Sequence, residues 1–427
     1  MSLPSDLVTR ITDAVDAGFD DQLAFTRDLV RHPSTRGNEH EVQAFIHDAY
    51  AARGLEMDRF EMDRAALEAH EGGGRFSDEH SDAPIVVGTY HPEAEQGRSL
   101  ILQAHVDVVP AGPAAMWTHG PFKPHVEGDW LYGRGAGDMK GGAASNIFAL
   151  DALKRAGLAP AGRIHVESVV EEESTGNGAL ATHLRGYRAD AVLIPEPMGE
   201  ALVRATVGVL WFRIEVRGVP VHVAQMGTGA NAIDATYRIA NALRDLEEDW
   251  NAARADHPHF ADLPHPINLN LGRIEGGDWA SSVPAWCRLD CRISIYPGQK
   301  AADMAREVEA RIAEFARTDP YLSEAPPTVT FNGFFAEGYA LEEGSDAEAT
   351  LARAHEAALG GPLEAMPSTA YLDCRVHALY DRVPALCYGA LAENIHGFEE
   401  RVSLASLRRT TAAMALFVAE WCGVREI

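Results

Sequence analysis

Apolar, strand-forming runs that end in acids or in a histidine occur three times in the first half of the chain. The runs are residues 100–104 before His105 and Asp107, residues 163–170 before Glu171, Glu172 and Glu173, and residues 189–194 before Glu196. Such β-branched and aliphatic runs predict buried strands, and helical patterns lie between them. Because the carboxyl ends of parallel strands form the ligand crevice of open α/β sheets, we expect these polar groups to converge.

Carboxylates crowded into one crevice repel one another unless a cation lies among them. Another acid, Asp138, lies in the glycine-dense loop 132–142, where glycine allows a close approach to an ion. Each feature alone has a simpler explanation: a structural histidine at a strand end, a flexible turn, or a solvated run of acids. The triplet 171–173, however, directly follows a buried-type strand, so at least one carboxylate must face the crevice. The pattern therefore predicts a metal site.

The remaining N-terminal pattern predicts two amphipathic helices in the first 60 or so residues, separated by a turn at residues 32–37. The polar, glycine-rich insert 69–82 is expected to be a surface loop. Residues 141–155 form a small-residue pattern that predicts the crossover helix after the Asp138 loop.

The pattern changes at Gly208, because residues 209–217 alternate as a half-exposed strand does. The further elements are a helix at 232–250, strands around 267–271 and 286–295, a helix at 301–317 and a strand at 328–331. This β-α-β-β-α-β order predicts a ferredoxin-like α+β unit, residues 208–333, inserted into a first domain of residues 1–207 and 334–427. A helix near 345–358 and a strand at 383–388 then bring His396 beside the earlier strand ends.

Composition narrows the function classes. The 427 residues are 46% hydrophobic and carry a formal net charge of −26, which argues against nucleic-acid binding because phosphate contacts need clustered Lys and Arg. No apolar stretch approaches a membrane span, and the first residues lack the features of a signal peptide, so we expect a cytoplasmic protein without membrane attachment. The five cysteines are sparse and none forms a CxxC pair, which favours reduced thiols.

Five motifs, in order, resemble those of the M20 metallopeptidase and deacylase family, in particular its acetylornithine deacetylase and succinyl-diaminopimelate desuccinylase branch. The motifs are His105-Val-Asp107, the Gly-Arg-Gly-Ala-Gly-Asp138-Met-Lys-Gly loop, the triplet ending at Glu173, Glu196-Pro, and the segment from His396 to Val402. The resemblance covers nearly the whole chain. It implies a mixed, mostly parallel sheet flanked by helices, as in zinc exopeptidases, with an inserted lid and dimerisation domain.

The resemblance also implies two Zn²⁺ ions per chain, with Co²⁺ or Mn²⁺ as possible substitutes. Asp138 would bridge them, His105 and Glu196 would complete one ligand set, and Glu173 and His396 the other. Asp107 would orient the ring of His105, and Glu172 would be the general base for a metal-bridging hydroxide.

In the inserted domain the resemblance implies that His222 stabilises the oxyanion, reaching the active site of a partner subunit in a homodimer. Arg292 and Asn231 match substrate-holding positions, and the fork of Arg292 suits a carboxylate. Three departures from the family pattern are Glu171 in place of Asp, Met198 in place of Thr, and the segment Tyr371-Leu-Asp-Cys-Arg375 in place of a Gly-Thr-Asp-Ala-Arg-like sequence. The last of these leaves the substrate open.

The leading hypothesis is a zinc-dependent amidohydrolase that removes an N-acyl group from an amino acid or a related small amine, as acetylornithine deacetylase does. A dipeptidase or carboxypeptidase, or a deformylase of another nitrogenous metabolite, is the alternative within the family. A non-catalytic binding paralogue on the same fold is a third class, because a fold does not fix a function. The presence of Glu172 with every matched ligand argues against that class.

Overall fold

The computed structural model describes residues 3–427. In chain order its strands are β1 (Glu56–Phe60), β2 (Ile85–Tyr90), β3 (Leu100–His105), β4 (His125–Glu127), β5 (Trp130–Tyr132), β6 (Leu158–Pro160), β7 (Ile164–Val169), β8 (Val192–Ile194), β9 (Leu202–Thr206), β10 (Gly208–Arg217), β11 (Leu269–Gly276), β12 (Trp286–Ile295), β13 (Thr328–Ala336), β14 (Tyr339–Ala340), β15 (Ala365–Ser368), β16 (Ala385–Cys387), β17 (Ala392–Glu393), β18 (Arg401–Ser403) and β19 (Val424–Glu426). Its α-helices are α1 (Ser5–Arg31), α2 (His40–Ala51), α3 (Arg64–Ala69), α4 (Gly141–Arg155), α5 (Asn177–Arg185), α6 (Ala232–Ala252), α7 (Ala301–Thr318), α8 (Asp346–Leu359), the single turn α9 (Cys374–Val376) and α10 (Leu404–Trp421).

A six-stranded sheet in the order β1-β2-β7-β3-β8-β16 forms the centre of the molecule. The four strands from β7 to β16 run parallel, whereas β1 and β2 are antiparallel to their neighbours. Every residue of β3, β7 and β8 is buried, as expected for strands covered on both faces. Helices α1, α4, α8 and α10 pack against one another. The predicted mixed, mostly parallel α/β sheet is confirmed.

A second sheet is antiparallel and has the order β11-β12-β10-β13. Helices α6 and α7 pack together on it, so the elements follow the predicted β-α-β-β-α-β order. Alternate positions of β10 are buried, and they join a hydrophobic cluster separate from that of the first sheet. Strand β13 runs to Ala336 and so crosses the predicted boundary at residue 333. The domain division, and the lid and dimerisation role, stay predictions.

The glycine-rich insert differs from its prediction as a surface loop. Gly72, Gly73, Gly74 and Ser81 are buried, while Asp82 is exposed. The three glycines pack so closely that a Cβ at Gly73 would lie 2.1 Å from the carbonyl oxygen of Leu67. Small size at these positions therefore serves packing rather than flexibility. None of the helices within residues 3–427 is long and apolar enough to cross a membrane.

Candidate metal centre

Three neighbouring parallel strands deliver polar side chains to one edge of the central sheet. His105 is the last residue of β3, Glu172 and Glu173 follow β7, and Glu196 follows β8. All four residues are at least partly withdrawn from solvent, and His105 is only 1% exposed. The convergence predicted from the strand-end pattern is therefore present.

Two residues from outside the sheet complete the group. Asp138 lies in the glycine-dense loop immediately before α4, and His396 lies between β17 and β18 with a backbone φ of 63°. His105 Nε2 is 3.1 Å from Asp138 Oδ1 and 3.6 Å from Glu196 Oε1. His396 Nε2 is 3.4 Å from Asp138 Oδ2 and 3.1 Å from Glu173 Oε1. Asp138 thus offers one oxygen to each of two ligand sets.

The donor atoms fit divalent cations. In the sets His105–Asp138–Glu196 and Asp138–Glu173–His396, one donor atom from each residue lies within 4.8 Å of the others. Oε1 of Glu196 is buried without a hydrogen-bond partner in the described structure. A buried carboxylate oxygen without a donor is costly unless a cation meets it. Imidazole and carboxylate together suit zinc, cobalt or manganese.

The protonation behaviour of the cluster reflects its density of charge. Burial raises the pKa of Glu172, Glu173 and Glu196 above the usual value for a carboxyl group. The charge of Glu173 raises the pKa of His396 to about 11. Without a cation the groups therefore reduce their repulsion by holding protons, which a bound cation would displace.

Asp107 contacts one residue of each candidate ligand set, His105 and Glu173. Its backbone carbonyl accepts a hydrogen bond from His105 Nδ1 at 3.0 Å, and its Oδ2 accepts one from the backbone N–H of Glu173 at 3.1 Å. A proton on Nδ1 leaves the Nε2 lone pair of His105 facing Asp138 and Glu196. This geometry supports the predicted orienting role of Asp107, although the carbonyl oxygen makes the closer contact with the ring.

The sequence analysis missed Glu400, which holds the Asp138 loop. Its Oε1 accepts hydrogen bonds from the backbone N–H groups of Gly137 and Asp138, each at 3.0 Å, and its Oε2 accepts one from Arg134 Nη1 at 2.6 Å. Arg134 and Glu400 are both buried. Both residues lie inside motifs that the sequence had singled out, but only the fold shows that they meet.

Asp373 was also missed. It is 1% exposed, and burial raises its pKa to about 7. Tyr371 donates its hydroxyl hydrogen to Oδ1 at 3.0 Å, and Gln103 donates its amide N–H to Oδ2 at 2.8 Å. Within the segment Tyr371–Arg375, Asp373 therefore lies buried beneath the cluster, and Tyr371 lines the cleft.

A cleft of about 680 Å³ opens over the cluster and extends between the two sheets. Arg292 lines it from β12 and donates hydrogen bonds to Ser294 Oγ at 2.6 Å and to the carbonyl oxygen of Thr369 at 3.0 Å. Burial lowers the pKa of Arg292 to about 10. No carboxylate in residues 3–427 forms an ion pair with this guanidinium. A partly buried cation of this kind, in the lining of a cleft, is suited to an anionic group on a ligand.

An aromatic wall, defined by Trp211, Phe334 and Tyr371, lines the same cleft. The rings of Trp211 and Phe334 are 5.1 Å apart and perpendicular, and those of Phe334 and Tyr371 are 4.4 Å apart. Trp211 is the cross-strand neighbour of Arg292, so the indole ring and the cation share one face of the second sheet. Tyr371 packs so closely against Gly176 that a Cβ there would lie 1.9 Å from the hydroxyl oxygen of Tyr371, so a larger residue at position 176 would displace this ring.

The structure does not bring two predicted residues into the cleft of a single chain. Asn231 caps α6, and its Oδ1 accepts hydrogen bonds from the backbone N–H groups of Ile233 and Asp234. This is the ordinary N-cap arrangement, so Asn231 caps α6 within one chain, and its substrate contact stays a prediction. His222 is exposed, and its Nδ1 accepts a hydrogen bond from the backbone N–H of Ala224.

Comparison with known proteins agrees with this geometry. A sequence model described as peptidase family M20/M25/M40 matches residues 101–420. An N-formyl-4-amino-5-aminomethyl-2-methylpyrimidine deformylase of Halalkalibacterium halodurans is 26% identical, over 96% of this chain and 97% of the relative. A succinyl-diaminopimelate desuccinylase of Methylorubrum populi is 28% identical, over 91% of this chain and 95% of the relative. The crystal structure of human carnosine dipeptidase 1 shares the fold with a TM-score of 0.77, at 14% identity over 97% of this chain and 99% of that one.

Proposed function

The chain belongs to peptidase family M20/M25/M40 and is a hydrolase of amide bonds, and from that membership we propose that it removes the N-acyl group from an amino acid or a related small amine. The single observation that carries the proposal is the position of Glu172. Its Oε2 lies 3.8 Å from His105 Nε2, its carboxylate is within 4.8 Å of donor atoms of His105 and Glu173, which belong to different ligand sets, and the residue lines the cleft.

The residues fit two divalent cations, which we propose are zinc. His105 and Glu196 would hold one, Glu173 and His396 the other, and Asp138 both. When bound, the cations supply Lewis acidity toward the amide carbonyl.

Glu172 would move the proton. We propose that its carboxylate accepts a proton from the attacking water and then delivers this proton to the nitrogen of the leaving amine. Water adds to the carbonyl carbon, the C–N bond breaks, and the products are a carboxylic acid and a free amine. Asp107 would keep the His105 ring fixed during this exchange.

We further propose a homodimer formed through the second sheet. Strand β11 is an edge of that sheet and so has unpaired backbone groups to offer to a second copy. Exposed large apolar side chains cluster in the same part of the chain: Val219, Val223, Met226, Tyr237, Ile274 and Trp279. Such a patch is typical of an interface.

In such a dimer His222 would reach the partner's cleft and stabilise the oxyanion. We expect His222→Ala to fold and to bind metal normally while kcat falls about 100-fold, the usual loss for one oxyanion donor. Steady-state kinetics and metal analysis measure this. Mixing His222→Ala with Glu172→Gln protein should restore part of the activity, because one cleft in the mixed dimer has both groups. No restoration, with subunit exchange verified, would place His222 within its own chain.

Arg292 favours a substrate with a free carboxylate. We expect Arg292→Gln to raise KM about 30-fold for an N-acyl amino acid, equivalent to about 2 kcal/mol, with little change in kcat. The methyl ester of the same substrate is the matched control, because it removes the negative charge from the substrate while the variant removes the positive charge from the protein. If the variant loses as much on the ester as on the acid, Arg292 does not bind the carboxylate.

A second candidate is the deformylation of a nitrogenous ring compound. The aromatic wall offers both ring faces and ring edges, against which another ring can pack in a stacked or edge-to-face arrangement. The relative from H. halodurans is named for a formylated aminopyrimidine. A substrate of this kind carries no carboxylate, so its KM should be unchanged in Arg292→Gln.

The experiment that tests the function is amine release from a panel of N-acetyl, N-succinyl and N-formyl amines, dipeptides and a formylated aminopyrimidine. Each compound is incubated with zinc-loaded protein and with the same protein after chelation. Turnover of one class that is lost on chelation supports the hydrolase and identifies its substrates. Turnover that survives complete metal removal, or metal-loaded protein inactive on the whole panel, would contradict the proposal.

A further inference from the structure

Glu171 precedes the proposed base Glu172 but does not join the metal cluster. Its side chain is fully buried and is not part of the cleft lining, and it pairs with Arg36, which does line the cleft. Arg36 donates two hydrogen bonds to it, from Nε to Oε1 at 2.6 Å and from Nη2 to Oε2 at 2.8 Å. Such a two-point contact fixes the orientation of a carboxylate as well as its position.

Two more donors complete the set around this carboxylate. The backbone N–H of Ser81 donates to Oε1 at 2.8 Å, and the hydroxyl of Thr175 donates to Oε2 at 2.9 Å. Both oxygens of Glu171 are therefore held from two sides. Aspartate, which is one methylene shorter, would not reach all of these donors from the same backbone position.

The backbone at Glu171 is equally constrained. Its φ is 67°, a left-handed value that is uncommon for a residue with a side chain. Its carbonyl oxygen accepts hydrogen bonds from the N–H groups of Thr175 at 3.0 Å and Gly176 at 2.8 Å. A conformation of this kind persists only where its surroundings fix it, and here it sets the direction in which the next residue leaves the strand.

Residues 72–81, which we term the strap, supply one side of this clamp. Gly74 donates its N–H to Asn177 Oδ1 at 2.9 Å, and a Cβ at Gly74 would lie 2.5 Å from the carbonyl oxygen of Thr175. At its other end the Ser81 hydroxyl donates to Glu39 Oε2 at 2.8 Å. The strap thus lies directly against the turn 171–177 that carries Glu172.

The strap also reaches the second sheet. Arg75 and Gly333 of β13 exchange two backbone hydrogen bonds, of 2.7 Å and 2.9 Å, and the guanidinium of Arg75 lies 3.9 Å from the centre of the Phe335 ring. One segment therefore contacts both the turn beside the cluster and the sheet that forms the far wall of the cleft.

We propose that Glu171, clamped by Arg36, Thr175 and the strap, is a positioning residue that holds Glu172 in the orientation needed for proton transfer. This inference rests on the role proposed above for Glu172. It gives the glycine-rich insert a function, and it explains why this chain carries Glu at position 171. Small misplacements of a reacting group cost about 100-fold in rate, so the clamp should affect kcat more than KM.

The test compares Glu171→Gln, Arg36→Gln and the double variant. The matched control is Glu348→Gln, which removes one partner of another partly buried Arg–Glu pair, with Arg204, outside the cleft. We expect Glu171→Gln to keep its metal and its KM while kcat falls about 100-fold, Arg36→Gln to lose kcat by the same factor, and the double variant to fall no further, because the two residues act as one unit. Glu348→Gln should keep its kcat.

Thr175→Val is a milder variant in case the charge changes prevent folding. It keeps the shape of the side chain and removes the hydroxyl donor to Glu171. Because the other donors to Glu171 remain, we expect kcat to fall only about 10-fold, compared with about 100-fold when the clamp is broken. The proposal would be overturned if the Glu171 and Arg36 variants kept a normal kcat and lost only thermal stability, to the same extent as Glu348→Gln. Glu171 would then have a structural role alone.

Hydrogen exchange separates this proposal from the proposed function. In Glu171→Gln we expect faster amide exchange in residues 72–81 and 172–178 together, with no such change in Glu348→Gln. If the wild-type protein hydrolyses nothing on the panel, the hydrolase assignment fails, but this coupled exchange still supports the clamp. Faster exchange confined to residues 72–81 would show that the clamp does not reach Glu172.

Discussion

Replacing Glu172 by Gln is expected to lower kcat about 1,000-fold while both metal ions stay bound. The loss follows from removing the only group in the scheme that accepts and returns a proton, since positioned acids and bases contribute about 100- to 10,000-fold. Glutamine has nearly the same shape, so the packing around this buried side chain is retained. Steady-state kinetics and metal analysis by mass spectrometry on the same sample measure the two quantities.

The comparison with Glu173→Gln makes the experiment decisive. Glu173 lies 3.1 Å from His396 Nε2 and belongs to a proposed ligand set, so its variant should lose metal as well as activity. If Glu172→Gln loses metal and Glu173→Gln does not, the base and the ligand have been exchanged in the assignment. Wild-type kcat in Glu172→Gln would remove the general-base mechanism altogether.

Replacing Asp138 by Asn is expected to abolish binding of both cations and to lower activity more than 1,000-fold. Among residues 3–427, Asp138 is the one acid within hydrogen-bonding or ion-pair distance of both His105 and His396, through different oxygens. Burial alone would raise the pKa of Asp138, but its hydrogen bonds to the two histidines lower it, so it stays charged. An amide has no negative charge and offers only one oxygen.

The consequence for stability is measurable without any substrate. A cation that binds only the folded state stabilises it by about 4 kcal/mol at 1,000 times its dissociation constant. Zinc should therefore raise the melting temperature of chelated wild-type protein and leave that of Asp138→Asn unchanged. Asp151→Asn is the control, because Asp151 pairs with Arg53 and should keep the response to zinc. An undiminished response in Asp138→Asn would show that Asp138 does not hold the metals.

The candidate site was predictable where local pattern and sheet geometry suffice. His105, Glu173 and Glu196 follow buried strands, and parallel strands bring their carboxyl ends to one edge whatever the details of packing. The glycine-dense loop and the last strand indicated Asp138 and His396, but their places in the two ligand sets needed the ordered motifs of a known family, because nothing local places a loop residue 33 positions from His105 beside it. The order of strands and helices along residues 208–333 followed from the alternation of β10 and the spacing of the helices and strands after it.

Other features depend on contacts between distant parts of the chain. The cap formed by Asn231 is an exception, because an Asn before a helical pattern is a local sequence signature of a helix start. Glu400 and the Asp138 loop are more than 260 residues apart in sequence, and so are Gln103 and Asp373. No periodicity connects such pairs. The burial of Gly72 to Gly74 likewise reflects neighbours that only the folded chain supplies.

The link between Arg75 and Gly333 uses backbone atoms on both sides. Substituting either side chain therefore cannot delete these two hydrogen bonds directly. Inserting or deleting one residue between Arg75 and Ser81, however, would shift these two anchors of the strap relative to each other. In descendants of this protein, the length of that interval should vary less than its residue types do. Insertions that lengthen the region are expected on the N-terminal side of Gly72 or beyond Ser81.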